Sequence, residues 1–162
     1  MAQNETTNLI RKLFYDDPSS YDEIIPGLFL GNLTAVRDIG WLIKTKINYI
    51  LTVDSCPLSK QMHRFLPNLT VKYIKVTDMP REDLLTHFED SYEFIDHSLQ
   101  QNENILVHCH FGISRSATIV IAYLMKKYKK SFSDAFKAVK EKRHFVEPNA
   151  GFLNTRFRMD VL

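Results

Sequence analysis

Cysteine is the first scarcity. The 162 residues contain two, Cys56 and Cys109, which excludes a disulfide-stapled scaffold and points to a reducing compartment. Glycine and proline, at five and six, are too few for a collagen-like or low-complexity chain. Long apolar runs are missing too. The longest, Ile119-Val120-Ile121-Ala122-Tyr123-Leu124-Met125, is far too short to span a bilayer. The opening Met1-Ala2-Gln3-Asn4-Glu5 has neither a signal-peptide core nor a glycine for myristoylation. Nor does one charge sign dominate. Lys and Arg number 21 against 19 Asp and Glu, for a net charge of +2, so neither nucleic acid nor a membrane is expected as a partner. The expected address is cytoplasmic, nuclear or both.

A chain of this length fits one domain and buries roughly 68–70% of its unfolded surface without a metal or disulfide. Residues 1–20 read as a leader ending in the turn-rich Asp16-Asp17-Pro18-Ser19-Ser20. Within it, Leu9-Ile10-Arg11-Lys12-Leu13-Phe14-Tyr15 suits either a helical turn packed on the body or a docking peptide. Residues 21–162 carry no linker or repeat and form one compact unit. Short strands are expected on either side of Pro26-Gly27, then at Ile47–Val53, Val71–Val76 and Ile105–Val107. Asn32 is placed to cap a short helix ending at Arg37. Thr86 and Glu89 form a capping box, and the helix behind it puts Phe88, Tyr92, Ile95 and Leu99 on one face. Further helices are expected over residues 115–128, 131–143 and 148–159, the first apolar nearly all round and therefore central. This alternation implies an α/β fold, a central, mostly parallel twisted sheet flanked by helices. Residues 126–162 hold ten Lys and Arg against four Asp and Glu. Lys126-Lys127-Tyr128-Lys129-Lys130 suits a solvated helix end or a phosphate-attracting face.

The informative segment is Val107-His108-Cys109-His110-Phe111-Gly112-Ile113-Ser114-Arg115-Ser116, between a buried strand and a helix N-terminus. Ligands of open α/β sheets bind at carboxyl ends of strands. A tight loop entering a helix there aims its backbone N–H groups at one point, an anion cradle, and Gly112 lets the backbone wrap a tetrahedral oxyanion. Cys109 opens the cradle, where amides and helix dipole favour the thiolate. The planar fork of Arg115 matches two phosphate oxygens. A thiolate beneath a bound phosphate is placed for in-line attack on phosphorus. Three consecutive side chains in His108-Cys109-His110 diverge and have no second cluster at ligand spacing, so no metal and no cofactor is expected.

This segment resembles the signature loop of cysteine-based dual-specificity protein phosphatases, closest to the catalytic part of atypical members. The likeness covers about Tyr21 to Leu162 and includes Pro26-Gly27-Leu28-Phe29-Leu30-Gly31, Ile50-Leu51-Thr52-Val53-Asp54 and Pro148-Asn149-x-Gly151-Phe152. The resemblance implies a cysteine-phosphatase-like fold with Cys109 as the nucleophile that becomes phosphocysteine, and Arg115 binding the phosphoryl oxygens. The amides of His110, Phe111, Gly112, Ile113, Ser114 and Arg115 would complete the oxyanion site. Ser116 would hydrogen-bond the sulfur as it leaves, His108 would order the loop and favour the thiolate, and Asn149 would support the site. The implied substrate is a phosphorylated protein, dephosphorylated at tyrosine and at serine or threonine. Phosphate, sulfate or vanadate would occupy the same site, and the chain is expected to act as a monomer.

The leaving oxygen must also be protonated. Asp78, Glu82 and Asp83 all follow the strand ending at Val76. Asp78 matches the family's general acid, whereas Asp83 suits a turn or cap before the next helix. Two departures stand out: Phe111 replaces the usual alanine and thickens the pocket rim, and His144 replaces the usual proline. No lysine lies inside the loop, which argues against phosphoinositide-specific relatives. Cys56 reads as an inert thiol beside a strand, although a disulfide with oxidised Cys109 is chemically open. The alternatives on this scaffold are a phosphatase for lipid, RNA or glycan phosphate, and a phosphate-binding interaction module without turnover.

Overall fold

The structure, a computed structural model, describes residues 19–154. The Leu9–Tyr15 stretch and the end of the last expected helix lie outside those residues. The chain enters through β1 (Tyr21–Ile25), turns at Pro26-Gly27 and returns as β2 (Leu28–Gly31). Asn32 caps α1 (Leu33–Arg37), its Oδ1 accepting from the Ala35 N–H at 3.1 Å. Asp38 then caps α2 (Ile39–Lys44) through the Trp41 N–H at 2.9 Å. There follow β3 (Ile47–Asp54), a 3₁₀ turn at Lys60–Arg64, β4 (Thr70–Lys75), a second 3₁₀ turn at Leu85–His87, α3 (Phe88–Gln100) and β5 (Asn104–His108). Three helices complete the described chain: α4 (Arg115–Tyr128), α5 (Phe132–Lys142) and α6 (Ala150–Asn154).

The five strands form one sheet in the order β1-β2-β5-β3-β4. Only the β1–β2 pair is antiparallel, so the sheet is mixed and mostly parallel. Side chains alternate along its strands as the pleat requires. On β5, Ile105 and Val107 face the core under α3, α4 and α5, while Leu106 faces the smaller core under α1 and α2. β5 lies between β2 and β3, buried on both faces, and α4 runs buried along most of its length. The Cys109 loop therefore joins two of the most enclosed elements, an arrangement that restricts its movement.

Two local expectations change. The Thr86–Glu89 capping box does not form. α3 has His87 at its N-cap without a side-chain cap bond, because the preceding 3₁₀ turn already organises the entry. There Asp83 Oδ1 accepts from the Leu85 N–H at 3.2 Å, and the Thr86 hydroxyl donates to the Asp83 carbonyl. Glu89 instead pairs with Lys126 across to α4. The lysine cluster does end α4, with Lys129 in the left-handed region at φ 52°. Lys127 reaches Asp96 of α3 at 2.7 Å, so Lys126 and Lys127 at this helix end pair across to α3 while Lys129 and Lys130 remain exposed.

Candidate active site

β5 delivers Cys109 to the carboxyl edge of the sheet, where α4 begins six residues later. Every carbonyl from Cys109 to Ser114 is engaged. The Cys109 carbonyl accepts from His108 Nδ1 at 3.2 Å, His110 from the Leu33 N–H at 3.0 Å, and Ile113 from the Glu147 N–H at 2.9 Å. Arg143 donates from Nε to the Gly112 carbonyl at 2.9 Å, and its Nη2 lies 3.5 Å from that of Phe111. The Ser114 carbonyl takes both the N–H and the hydroxyl of Thr118, at 2.9 and 2.7 Å. A loop whose carbonyls are drawn outward by its surroundings turns N–H groups inward, and such a concavity binds anions. Gly112 makes the reversal possible at φ +64°. A Cβ there would lie 2.5 Å from the Gly31 carbonyl oxygen.

Cys109 is buried, and its Sγ accepts from the Gly112 N–H at 3.2 Å and from the Ser116 hydroxyl at 3.0 Å. Arg115 begins α4 with its guanidinium buried. Nη1 donates to Asp54 Oδ1 at 2.9 Å and to the Val76 carbonyl at 3.2 Å, with Ser55 Oγ at 3.4 Å. One corner of the fork is thus fixed to the ends of β3 and β4. Nε is buried without a hydrogen-bond partner. A buried donor left so costs about 1–3 kcal/mol, and an oxyanion in the cradle would relieve that cost.

His108 is fully buried and paired in register with Thr52. Nδ1 meets the Cys109 carbonyl, which can only accept, so the ring proton belongs on Nδ1 and Nε2 accepts from the Thr52 hydroxyl at 2.8 Å. Burial pushes its pKa down from 6.5 to about 4. The imidazole is therefore neutral near pH 7. Its Nδ1–H meets the Cys109 carbonyl, and the neutral ring brings no positive charge to the sulfur. The pH dependence follows by linkage. Between 6.5 and 4 the unfolded chain binds a proton that the native state refuses, so acidification lowers stability. We expect His108 to remove about 2 kcal/mol between pH 7 and 5. Denaturation midpoints should show a shallower acid slope for His108→Asn, and equal slopes would refute the assignment.

Asp78 is tied to the Cys109 loop at Ser114. Its Oδ1 accepts from the Ser114 hydroxyl at 2.8 Å and from Asn149 Nδ2 at 2.7 Å. Ser114 Oγ in turn accepts from the Asn149 N–H at 2.9 Å. Glu82, the rival acid, is used otherwise. It accepts from both the N–H and the hydroxyl of Thr77, at 3.1 and 2.5 Å, and those bonds hold its pKa below the usual value. Asp83 Oδ1 accepts from the Leu85 N–H at the start of the second 3₁₀ turn. Phe111 is exposed at the rim, with its ring edge-on to that of His110. Cys56 is an exposed free thiol.

Arg143 was not singled out from the sequence, nor were Asp54 and Thr52 given roles. Arg143 is 1% exposed, and besides the loop it reaches Asp22 Oδ2 at 2.7 Å and the Ser19 carbonyl at 3.2 Å. Among the described residues no group of three or more His, Cys, Asp or Glu side chains is disposed to hold a metal ion.

A strand–loop–helix anion cradle with a sulfur at its floor belongs to enzymes that pass phosphoryl groups through cysteine. Comparison with known proteins narrows that class. A family model described as the catalytic domain of dual specificity phosphatases matches residues 28–157. Dual specificity protein phosphatase MPK-4 of Drosophila melanogaster is 50% identical over 146 residues, covering 90% of this chain and 38% of that protein. Human DUSP28 superposes with a TM-score of 0.81 at 29% identity, covering 89% of this chain and 95% of that one. A mouse protein of dual specificity phosphatase type, complexed with zinc tungstate, gives 0.81 at 31% identity, covering 89% and 88%. The chain belongs to the dual specificity phosphatase family, with residues 28–157 matching its catalytic domain. It spans 38% of the fly relative's length.

Proposed function

We propose that the protein hydrolyses phosphotyrosine and phosphoserine or phosphothreonine in protein substrates through a phosphocysteine intermediate. The observation that carries this reading is the 2.8 Å bond between Asp78 and Ser114, which brings a carboxyl group to the loop that holds the nucleophile. A module that only bound phosphate would need neither group. The substrate's phosphoryl oxygens accept from the loop amides and from the unused edge of Arg115. Cys109 Sγ attacks phosphorus in line, the P–O ester bond breaks, and Asp78 gives its proton to the departing oxygen. Water then attacks the phosphocysteine, Asp78 takes the water's proton, and sulfur leaves while accepting from Ser116. Inorganic phosphate is released, and phosphate, sulfate and vanadate compete for the cradle. The oxyanion in the mouse relative supports that binding mode. The two free thiols support a cytoplasmic or nuclear address.

Phosphate release from a peptide phosphorylated on both Thr and Tyr, in EDTA and reductant, tests the reading; release from both residues is expected. Asp78→Asn should slow phenyl phosphate by about 10²–10³-fold and 4-nitrophenyl phosphate by less than about tenfold, since the better leaving group needs little protonation. Equal losses on the two esters would remove Asp78 from the acid role.

A further inference from the structure

The loop that carries Asp78 is seated on α6 by a residue with no side chain. A Cβ built on Gly151 would collide with the Pro80 carbonyl oxygen and lie 2.5 Å from the Pro80 Cα and 2.6 Å from its carbonyl carbon. These are backbone atoms, so no side-chain rotation could relieve the overlap. One residue earlier than α6 sits Asn149, which faces both ways. Its Oδ1 accepts from the Phe152 N–H at 3.1 Å, while Nδ2 donates to Asp78. At its far end the acid loop is closed by Glu82, through Thr77 and through its own N–H on the Met79 carbonyl at 3.0 Å.

We propose that the Asn149–Gly151 turn sets the height of the acid loop, and that Gly151 is a positioning residue for Asp78. The inference rests on the reading of Asp78 as the general acid. Asn149 fixes where Oδ1 lies, and Gly151 fixes how closely the Pro80 backbone approaches. Both donors fall on Oδ1, leaving Oδ2 as the oxygen that carries the transferable proton. A methyl group at residue 151 lifts Pro80 off its seat, and Asp78, two residues away, rises with it. General acid catalysis tolerates little displacement, because proton transfer needs heavy atoms about 2.6–3.2 Å apart. The loop carbonyls keep their braces from Leu33, Glu147 and Arg143 in this movement, which meets the loop at the Ser114 hydroxyl.

The test compares wild type, Gly151→Ala, Asp78→Asn and the double variant on phenyl phosphate and 4-nitrophenyl phosphate. Inorganic phosphate inhibition and thermal melting run alongside. Gly151→Ala should lower kcat on phenyl phosphate about 30- to 100-fold and on 4-nitrophenyl phosphate less than about threefold, with phosphate inhibition unchanged. The double variant should be no slower on phenyl phosphate than Asp78→Asn alone, because both changes remove the same proton transfer. Equal losses on both esters, or a further loss in the double variant, would overturn the positioning role. If Asp78→Asn itself shows no leaving-group dependence, the acid reading fails and takes this inference with it. If Asp78→Asn shows the dependence and Gly151→Ala does not, the inference alone fails. Should Gly151→Ala lose its cooperative melt, Asn149→Ala takes its place. It removes the amide without adding atoms against Pro80 and should give the same leaving-group-selective loss; a uniform loss again overturns the proposal.

Discussion

Serine in place of Cys109 should abolish turnover of every phosphate ester, by a factor on the order of 10⁴ or more, while the folded domain keeps its affinity for phosphate. The loss is chemical. A serine hydroxyl in this position has no base within the loop to deprotonate it: His108 Nε2 is committed to Thr52, and Asp78 is bonded to Ser114 and Asn149. The retained affinity is structural. The carbonyls from Cys109 to Ser114 are held by groups other than the sulfur, so the inward N–H groups keep their places. A neutral hydroxyl also lacks the charge that a thiolate sets beneath a phosphate dianion, so binding should hold or tighten. Burst and steady-state phosphate release, with phosphate or vanadate titration of the same preparation, make the comparison. Residual turnover within tenfold of wild type would exclude Cys109 as the nucleophile. Loss of oxyanion binding from a chain that melts normally would mean that the sulfur itself holds the cradle together.

The site that this prediction addresses was legible because its parts are adjacent in sequence. A buried strand, a glycine-bearing loop and a helix start occupy one stretch, and α4 begins and ends where its apolar pattern does, at Arg115 and Tyr128. Asp78 was reached by chemistry and family likeness, since the reaction needs a proton donor and the segment after the strand ending at Val76 offers three candidates, Asp78, Glu82 and Asp83. What stayed hidden depends on register and distant pairing. Thr52 meets His108 because β3 and β5 align there, a relation no local pattern reports. Asp54 ends β3 as an ordinary strand-edge acid would, and only the third dimension sets it against Arg115. α2, at six residues, is too short to show helical periodicity, and its one sequence signal is the capping Asp38. The Thr86–Glu89 pattern failed for the opposite reason: a local motif was present, but Asp83 and a 3₁₀ turn had already set the helix entry.

Arg143 is the extreme case, a cation at a helix end whose sequence context suggests solvent. Its substitution by methionine should cost about 2–4 kcal/mol of stability, from the Gly112 carbonyl left without its donor and the partly exposed Asp22 carboxylate left without its cation. Methionine fills the space but donates nothing. The Asp22 carboxylate then loses a 2.7 Å bond from a residue 121 positions away, and the Gly112 carbonyl loses its donor. The second loss reaches function, because Gly112 is the residue at φ +64° that turns its N–H toward Sγ. Every substrate uses the cradle, so kcat/KM should fall about 10- to 100-fold on phenyl phosphate and 4-nitrophenyl phosphate alike, in contrast to changes at Asp78 or Gly151. Arg143→Lys should recover part of the stability through Asp22 but little of the turnover, since one ammonium cannot reach Asp22, Ser19 and Gly112 in the geometry of a planar fork. Urea denaturation with a shared m-value, read beside kcat/KM for the two esters, separates these effects. A loss below about 1 kcal/mol in Arg143→Met, or a lysine variant with full turnover, would show that the loop holds its shape without the brace; the outward pull on the Gly112 carbonyl would then have to come from the close packing of Gly112 on the Gly31 backbone alone.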